Sequence, residues 1–123
     1  MQATRILPDL QCSLLCEEVR QEINGNLFLI GVLHYLRVPQ LPITAARICV
    51  FNRWTAGIGQ FTETVRLIAP DQTTVINKSE MKFETAGTYF IEVNVDDVMK
   101  LRYPLPVVVV PPPGQTPPTE KTT

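Results

Sequence analysis

Residues 86–95, AGTYFIEVNV, put an apolar side chain at alternate positions: Tyr89, Ile91, Val93 and Val95. Successive side chains of a strand point to opposite faces, so this set lines one face. Phe90, Glu92 and Asn94 line the other. A strand with one wet face must bury its dry face against a second layer. No stretch of the chain carries a convincing amphipathic helical period, so the second layer is expected to be another sheet.

The alternation recurs elsewhere. In residues 60–68, QFTETVRLI, Phe61, Val65 and Leu67 face inward while Thr62, Thr64 and Arg66 face outward. Glu63 interrupts the inward set, which marks a sheet margin or a local bulge. Residues 45–54 read as a strand with Ile48, Val50 and Asn52 on one face. Residues 10–16, LQCSLLC, form a short first strand behind Pro8. Residues 26–38, NLFLIGVLHYLRV, are apolar on both faces, which predicts a single strand covered on both sides. The pair Asn24–Gly25 before it suits a type I′ hairpin turn, because both residues accept positive φ. Residues 19–23 then turn back to pair with the start of that strand.

The remaining segments are weaker. Residues 55–59 form a flexible connection, and residues 69–72, APDQ, have the Pro-Asp chemistry of a turn. Residues 73–83 read as two short edge pieces. Residues 96–102, DDVMKLR, read as a turn or one short helical turn. Residues 104–110, PLPVVVV, form a last strand. Pro106 lacks an amide donor, which places that strand at an edge or paired on one side only.

Together these make an all-β fold: an immunoglobulin-like antiparallel β-sandwich of seven to eight strands. Gly87 followed by Tyr89 at the start of a late strand matches a tyrosine corner, in which the hydroxyl ties down a neighbouring loop. Ile91 stands where a cysteine often follows, so no disulfide-linked version is implied. The 123 residues suffice for one domain with a real core. It is expected over residues 6–111, after a flexible start at 1–5 and before a disordered tail at 112–123. That tail, drawn from PPPGQTPPTEKTT, has no large apolar residue with which to offset its ordering entropy.

The stretch LLCEEVRQEINGNLFLIGV (residues 14–32), with VPQLP after it and GTYFIEVNVDD…YPLPVVV later, resembles a family of small bacterial proteins of unknown function. Their opening has the same form: a Cys-acid-acid-Val-Arg segment, a glycine, an L-x-L-I-G strand and a Pro-rich link. The resemblance implies a bacterial source and a β-sandwich, and no chemistry.

Composition excludes some functions. The formal net charge is −1 and no run is rich in Lys or Arg, which argues against a nucleic-acid partner. No segment approaches the length of a membrane span, and the opening MQATRILPDL lacks a signal-like apolar stretch. A cytoplasmic protein with reduced thiols is expected.

Four constellations bear on function. Cys12, Cys16 or Cys49 with His34, the sole histidine, makes a small cysteine-dependent enzyme the competing reading. Metal is not expected: CSLLC has a loose zinc spacing without a second pair, and Asp96–Asp97 and Glu17–Glu18 read as solvated turn acids. Glu18, Arg20 and Glu22 share a strand face and form a recognition patch, with Arg20 as anchor. Arg53 and Trp54, before a Gly-containing loop, form a second contact site. No cofactor is implied. The preferred reading is a non-enzymatic module that binds protein, with a possible homodimer through an edge strand such as the Val-rich last one.

Overall fold

The computed structural model describes residues 5–44 and 47–110. Residues 1–4, 45–46 and 111–123 lie outside it, and with them the tail expected at 112–123 and most of the expected N-terminal segment. Nine strands occupy the described residues: β1 (Asp9–Gln21), β2 (Leu27–Val32), β3 (Leu36–Val38), β4 (Ile43–Thr44), β5 (Cys49–Thr55), β6 (Glu63–Ile68), β7 (Lys82–Phe83), β8 (Gly87–Val95) and β9 (Val98–Val109). One sheet has the order β2-β1-β5, a second β3-β9-β8-β6, and β4 and β7 make a small ribbon. The fold is all-β and sandwich-like. Three of the nine strands are only two or three residues long, too short to show a period in sequence.

The core lies between the two larger sheets. Leu15 from the first packs with Leu67, Tyr89, Ile91, Val93, Leu105 and Val107 from the second, and with Phe83 of the ribbon. Tyr89, Ile91, Val93 and Val95, the inward set read from the alternation, are all buried. Tyr89 OH donates to Thr85 O at 2.8 Å, the tie a tyrosine corner makes. Ser13 Oγ and Tyr103 OH, 2.9 Å apart, join the layers again.

Four expectations are corrected. First, β1 is one 13-residue strand, not two pieces. Its first half pairs with β5 and its second with β2, so the mostly polar residues 17–21 continue the strand past the point where a core covers it. Second, residues 26–38 are two strands. The chain leaves the first sheet after Val32 and joins the second at Leu36. β2 is therefore an edge strand, exposed where double cover was expected. Third, residues 98–109 run as a continuous strand, and the turn before them is only Asp96–Asp97.

The fourth correction concerns β9 itself, which lies between β8 and β3 rather than at an edge. It pairs with β3 in parallel, so the sheet is mixed and not wholly antiparallel. The prolines are accommodated by position. Val110 N donates to Val38 O, so the even-numbered amides here face the β3 side. β3 begins opposite Val107, beyond Pro104 and Pro106, whose missing donors therefore face no strand.

The hairpin between β1 and β2 is the expected corner with a different turn. Gly25 N donates to Glu22 O, so Ile23 and Asn24 are central, and Gly25 follows at φ 92°. This is the three-residue loop closed by a left-handed glycine.

The turn at residues 69–72 is held by Asp71. Its Oδ2 accepts from the Thr74 hydroxyl at 2.6 Å, and its Oδ1 from the amides of Thr74 and Thr73 at 2.9 Å each. These bonds, the Thr74 hydroxyl foremost, lower the Asp71 carboxyl from 3.8 to about 2. A folded-state value below the unfolded one stabilises the fold above about pH 4, and that contribution is lost as pH falls through about 2. Asp71→Asn is expected to flatten the stability-versus-pH curve across this window while leaving the slope above about pH 5 unchanged. Acid titration followed by circular dichroism checks it; identical curves for the two proteins would remove the assignment.

Candidate interaction face

Because β1, β2 and β5 are register-paired, their outward residues fall into rows. Arg20 lies beside Phe28 and Glu18 beside Ile30. Cys16 lies between Val32 and Cys49; Leu14 is opposite Phe51 and Cys12 opposite Arg53. The middle of this outer face is apolar. Phe28 is 51% exposed, Val32 46%, Leu14 39% and Ile30 38%. A scattered exposed Leu or Val is unremarkable on any surface; a contiguous apolar set on one sheet face is not.

The outer face of the other sheet is built differently. Arg66, Glu92 and Arg102 form one row across β6, β8 and β9. Glu92 takes an ion pair from each side, at 3.6 Å to Arg66 and 4.0 Å to Arg102. Arg102 also covers the Phe90 ring at 4.5 Å. An aromatic on that face is thus roofed by charge, whereas Phe28 and Ile30 are not.

The predicted contact residues are distributed as follows. Glu18 and Arg20 sit on the apolar face, with Arg20 Nε donating to Glu18 Oε2 at 2.8 Å. That bond holds the Glu18 carboxyl below its usual range. Glu22 lies just past the end of β1, at the hairpin. Arg53 is exposed on the same outer face. Trp54, its chain neighbour, turns to the opposite side, as alternation requires. Its Nε1 donates to Glu63 Oε2 at 2.7 Å, and Asn52 Nδ2 donates to the same oxygen at 2.8 Å. Glu63 opens β6 at the anticipated sheet margin, and its carboxylate links the two layers.

The cysteines are free thiols. Burial and the neighbouring Cys49 push the Cys16 thiol up, the opposite of what activates a nucleophile. Cys49 Sγ points to Glu17 O, at 3.7 Å. His34 is exposed in the link between β2 and β3, in a shallow groove with Glu17, Tyr35 and Arg37. Among the described residues, no group of three or more His, Cys, Asp or Glu stands ready to hold a metal ion. No described helix is long and apolar enough to cross a membrane.

Sequence reasoning read β2 as core and so missed its exposure. The signal was in its hairpin partner. Residues 17–22, EEVRQE, are too polar to lie beneath a second layer, so a strand paired with them leaves the core too.

A family model described as "Family of unknown function (DUF6941)" matches residues 11–85. The match begins inside β1 and ends just after β7, so it takes in all of β2 and β5. No curated protein matches the chain, and no solved structure does.

Proposed function

We propose that this chain, which belongs to that family of unknown function, is a protein-binding assembly module whose contact surface is the outer face of the β2-β1-β5 sheet. The observation that carries the proposal is the asymmetry between the two outer faces, one exposing Phe28, Ile30, Val32 and Leu14 together, the other crossed by the ion-paired row of Arg66, Glu92 and Arg102. Covering a half-exposed Phe28 or Val32 returns on the order of 1–2 kcal/mol each. A few such side chains supply the centre of an interface. Glu18, Arg20, Glu22 and Arg53 supply its polar rim, where charge sets partner choice more than strength. Trp54 supports the rim from beneath through Glu63 rather than touching the partner. The Tyr89–Thr85 tie supports an immunoglobulin-like variant of the sandwich, and three free thiols suit a reducing, cytoplasmic compartment.

Site-specific photocrosslinking tests this reading. Benzoylphenylalanine in place of Phe28 is expected to give discrete protein adducts in living cells, weakened several-fold by Arg20→Ala with Arg53→Ala. The same probe in place of Arg66, on the charged face, is expected to give none. Equal adduct patterns from both positions, or none from position 28, would end the proposal.

A further inference from the structure

We propose that β2 pairs along its free edge with β2 of a second copy of this chain. The inference rests on the preceding reading of this sheet as a contact surface and names the partner. Among the described residues β2 bonds only to β1, so half of its amides and carbonyls face away from the sheet. Proteins ordinarily guard such an edge with charge, proline or extreme shortness. The other edges are guarded in this way among the described residues. β5 carries Arg53, and β6 carries Glu63 and Arg66. β3 is three residues long, carries Arg37 and runs into Pro39. β2, LFLIGV, has six residues, none charged and none proline.

A strand is the occupant that fits. Leu27, on the face opposite Phe28, is 49% exposed. A partner lying flat on the outer face would leave Leu27 and the backbone edge uncovered. An added strand covers both faces and the edge at once. A second copy fits better than an unrelated strand because an antiparallel strand pair is two-fold symmetric, so an isologous contact needs only a self-complementary sequence. In the register that places Leu29 opposite itself, Phe28 meets Ile30 and Leu27 meets Gly31 of the other copy, and only Val32 meets a polar residue, the uncharged Asn26. No like charges are brought opposite: Glu18 and Arg20, beside Ile30 and Phe28, pair with one another at 2.8 Å, and Glu17 packs against Gly31 at the far end of the strand. Six paired residues bury on the order of 1,000 Å² in total, the lower limit for a specific interface, so the dimer is weak. Gly31 stands at φ 70° with the Glu17 side chain packed against it, yet Val32 keeps the register of the pairing with β1.

Sedimentation of the full chain over about 1–300 μM, with amide hydrogen exchange at both ends of that range, tests the proposal. The expected result is a monomer that becomes a dimer in the tens of micromolar, with concentration-dependent protection confined to residues 27–32. Ile30→Lys and Leu27→Lys are each expected to weaken the dimer at least tenfold with an unchanged circular dichroism spectrum. A monomer at every concentration would overturn self-pairing, as would a dimer indifferent to both substitutions. Protection of β2 that does not depend on concentration would place a segment of the same chain on the edge, and would overturn it too. A monomer that still gives Phe28 adducts with another protein ends self-pairing while the contact face stands; a monomer without adducts ends both.

Discussion

Phe83→Ala is expected to lower the free energy of unfolding by about 3–5 kcal/mol, the range for deleting a buried phenyl ring. A domain of this size has about 5–15 kcal/mol in all, so the loss takes a large share of its stability. Phe83 is fully buried and meets the Tyr89 ring edge-on, with centroids 5.0 Å apart at 73°. Its strand, β7, has two residues and, among the described residues, pairs only with the two of β4. So short a ladder cannot hold itself. The ring anchors β7, and with it β4, to the core. Removing it opens a cavity and frees the ribbon together. Phe83→Leu refills most of the volume and is expected to cost about 1–1.5 kcal/mol. Urea denaturation of the three proteins checks the order; a loss under about 1 kcal/mol for Phe83→Ala would mean the ring anchors nothing.

Glu63→Leu is expected to cost about 1–2 kcal/mol, less than the 1.5–3 typical for bonds to a charged group because the carboxylate keeps some contact with water. Two donors, Asn52 Nδ2 and Trp54 Nε1, converge on one oxygen of this residue. Asn52 Oδ1 is buried without a partner, so the amide already depends on its other end. Leucine leaves both donors facing an apolar group. Trp54→Phe removes one of the same bonds, so the double variant is expected to lose less than the two single losses added together. A strictly additive pair would show that the indole and the carboxylate do not interact. Glu63→Gln, which keeps an acceptor oxygen, is expected to recover about half of the loss.

These two positions show what the sequence expresses and what it hides. β8 was legible because a half-buried strand repeats its choice at alternate positions, and four repeats outweigh local noise. The hairpin corner was legible from Asn24–Gly25, although the turn closed one residue earlier than the type I′ reading placed it. Phe83 was not legible as core. A two-residue strand has no period, and the ring is buried by what packs onto it rather than by a pattern around it. Glu63 was seen as an irregularity, but its partners, Asn52 and Trp54, belong to the other layer and share no local pattern with it. The candidate face was half legible. The pairing of Glu18 with Arg20 followed from alternation. The exposure of Phe28 and Ile30 depended on where the opposing sheet ends, which is a property of two strands at once.

The two middle strands of the larger sheet, β9 and β8, are also the last of the described strands in chain order. Before β8 and β9 are made, β3 and β6 have nothing between them, and Tyr89, Val93, Leu105 and Val107 are missing from the core. The segment that matches the family model, residues 11–85, cannot close its own interior. A nascent chain that has not yet reached β8 and β9 therefore holds Leu15, Leu67 and Phe83 without the layer that covers them. Truncation before β8 is expected to give a product that aggregates, because apolar surface left uncovered associates between chains.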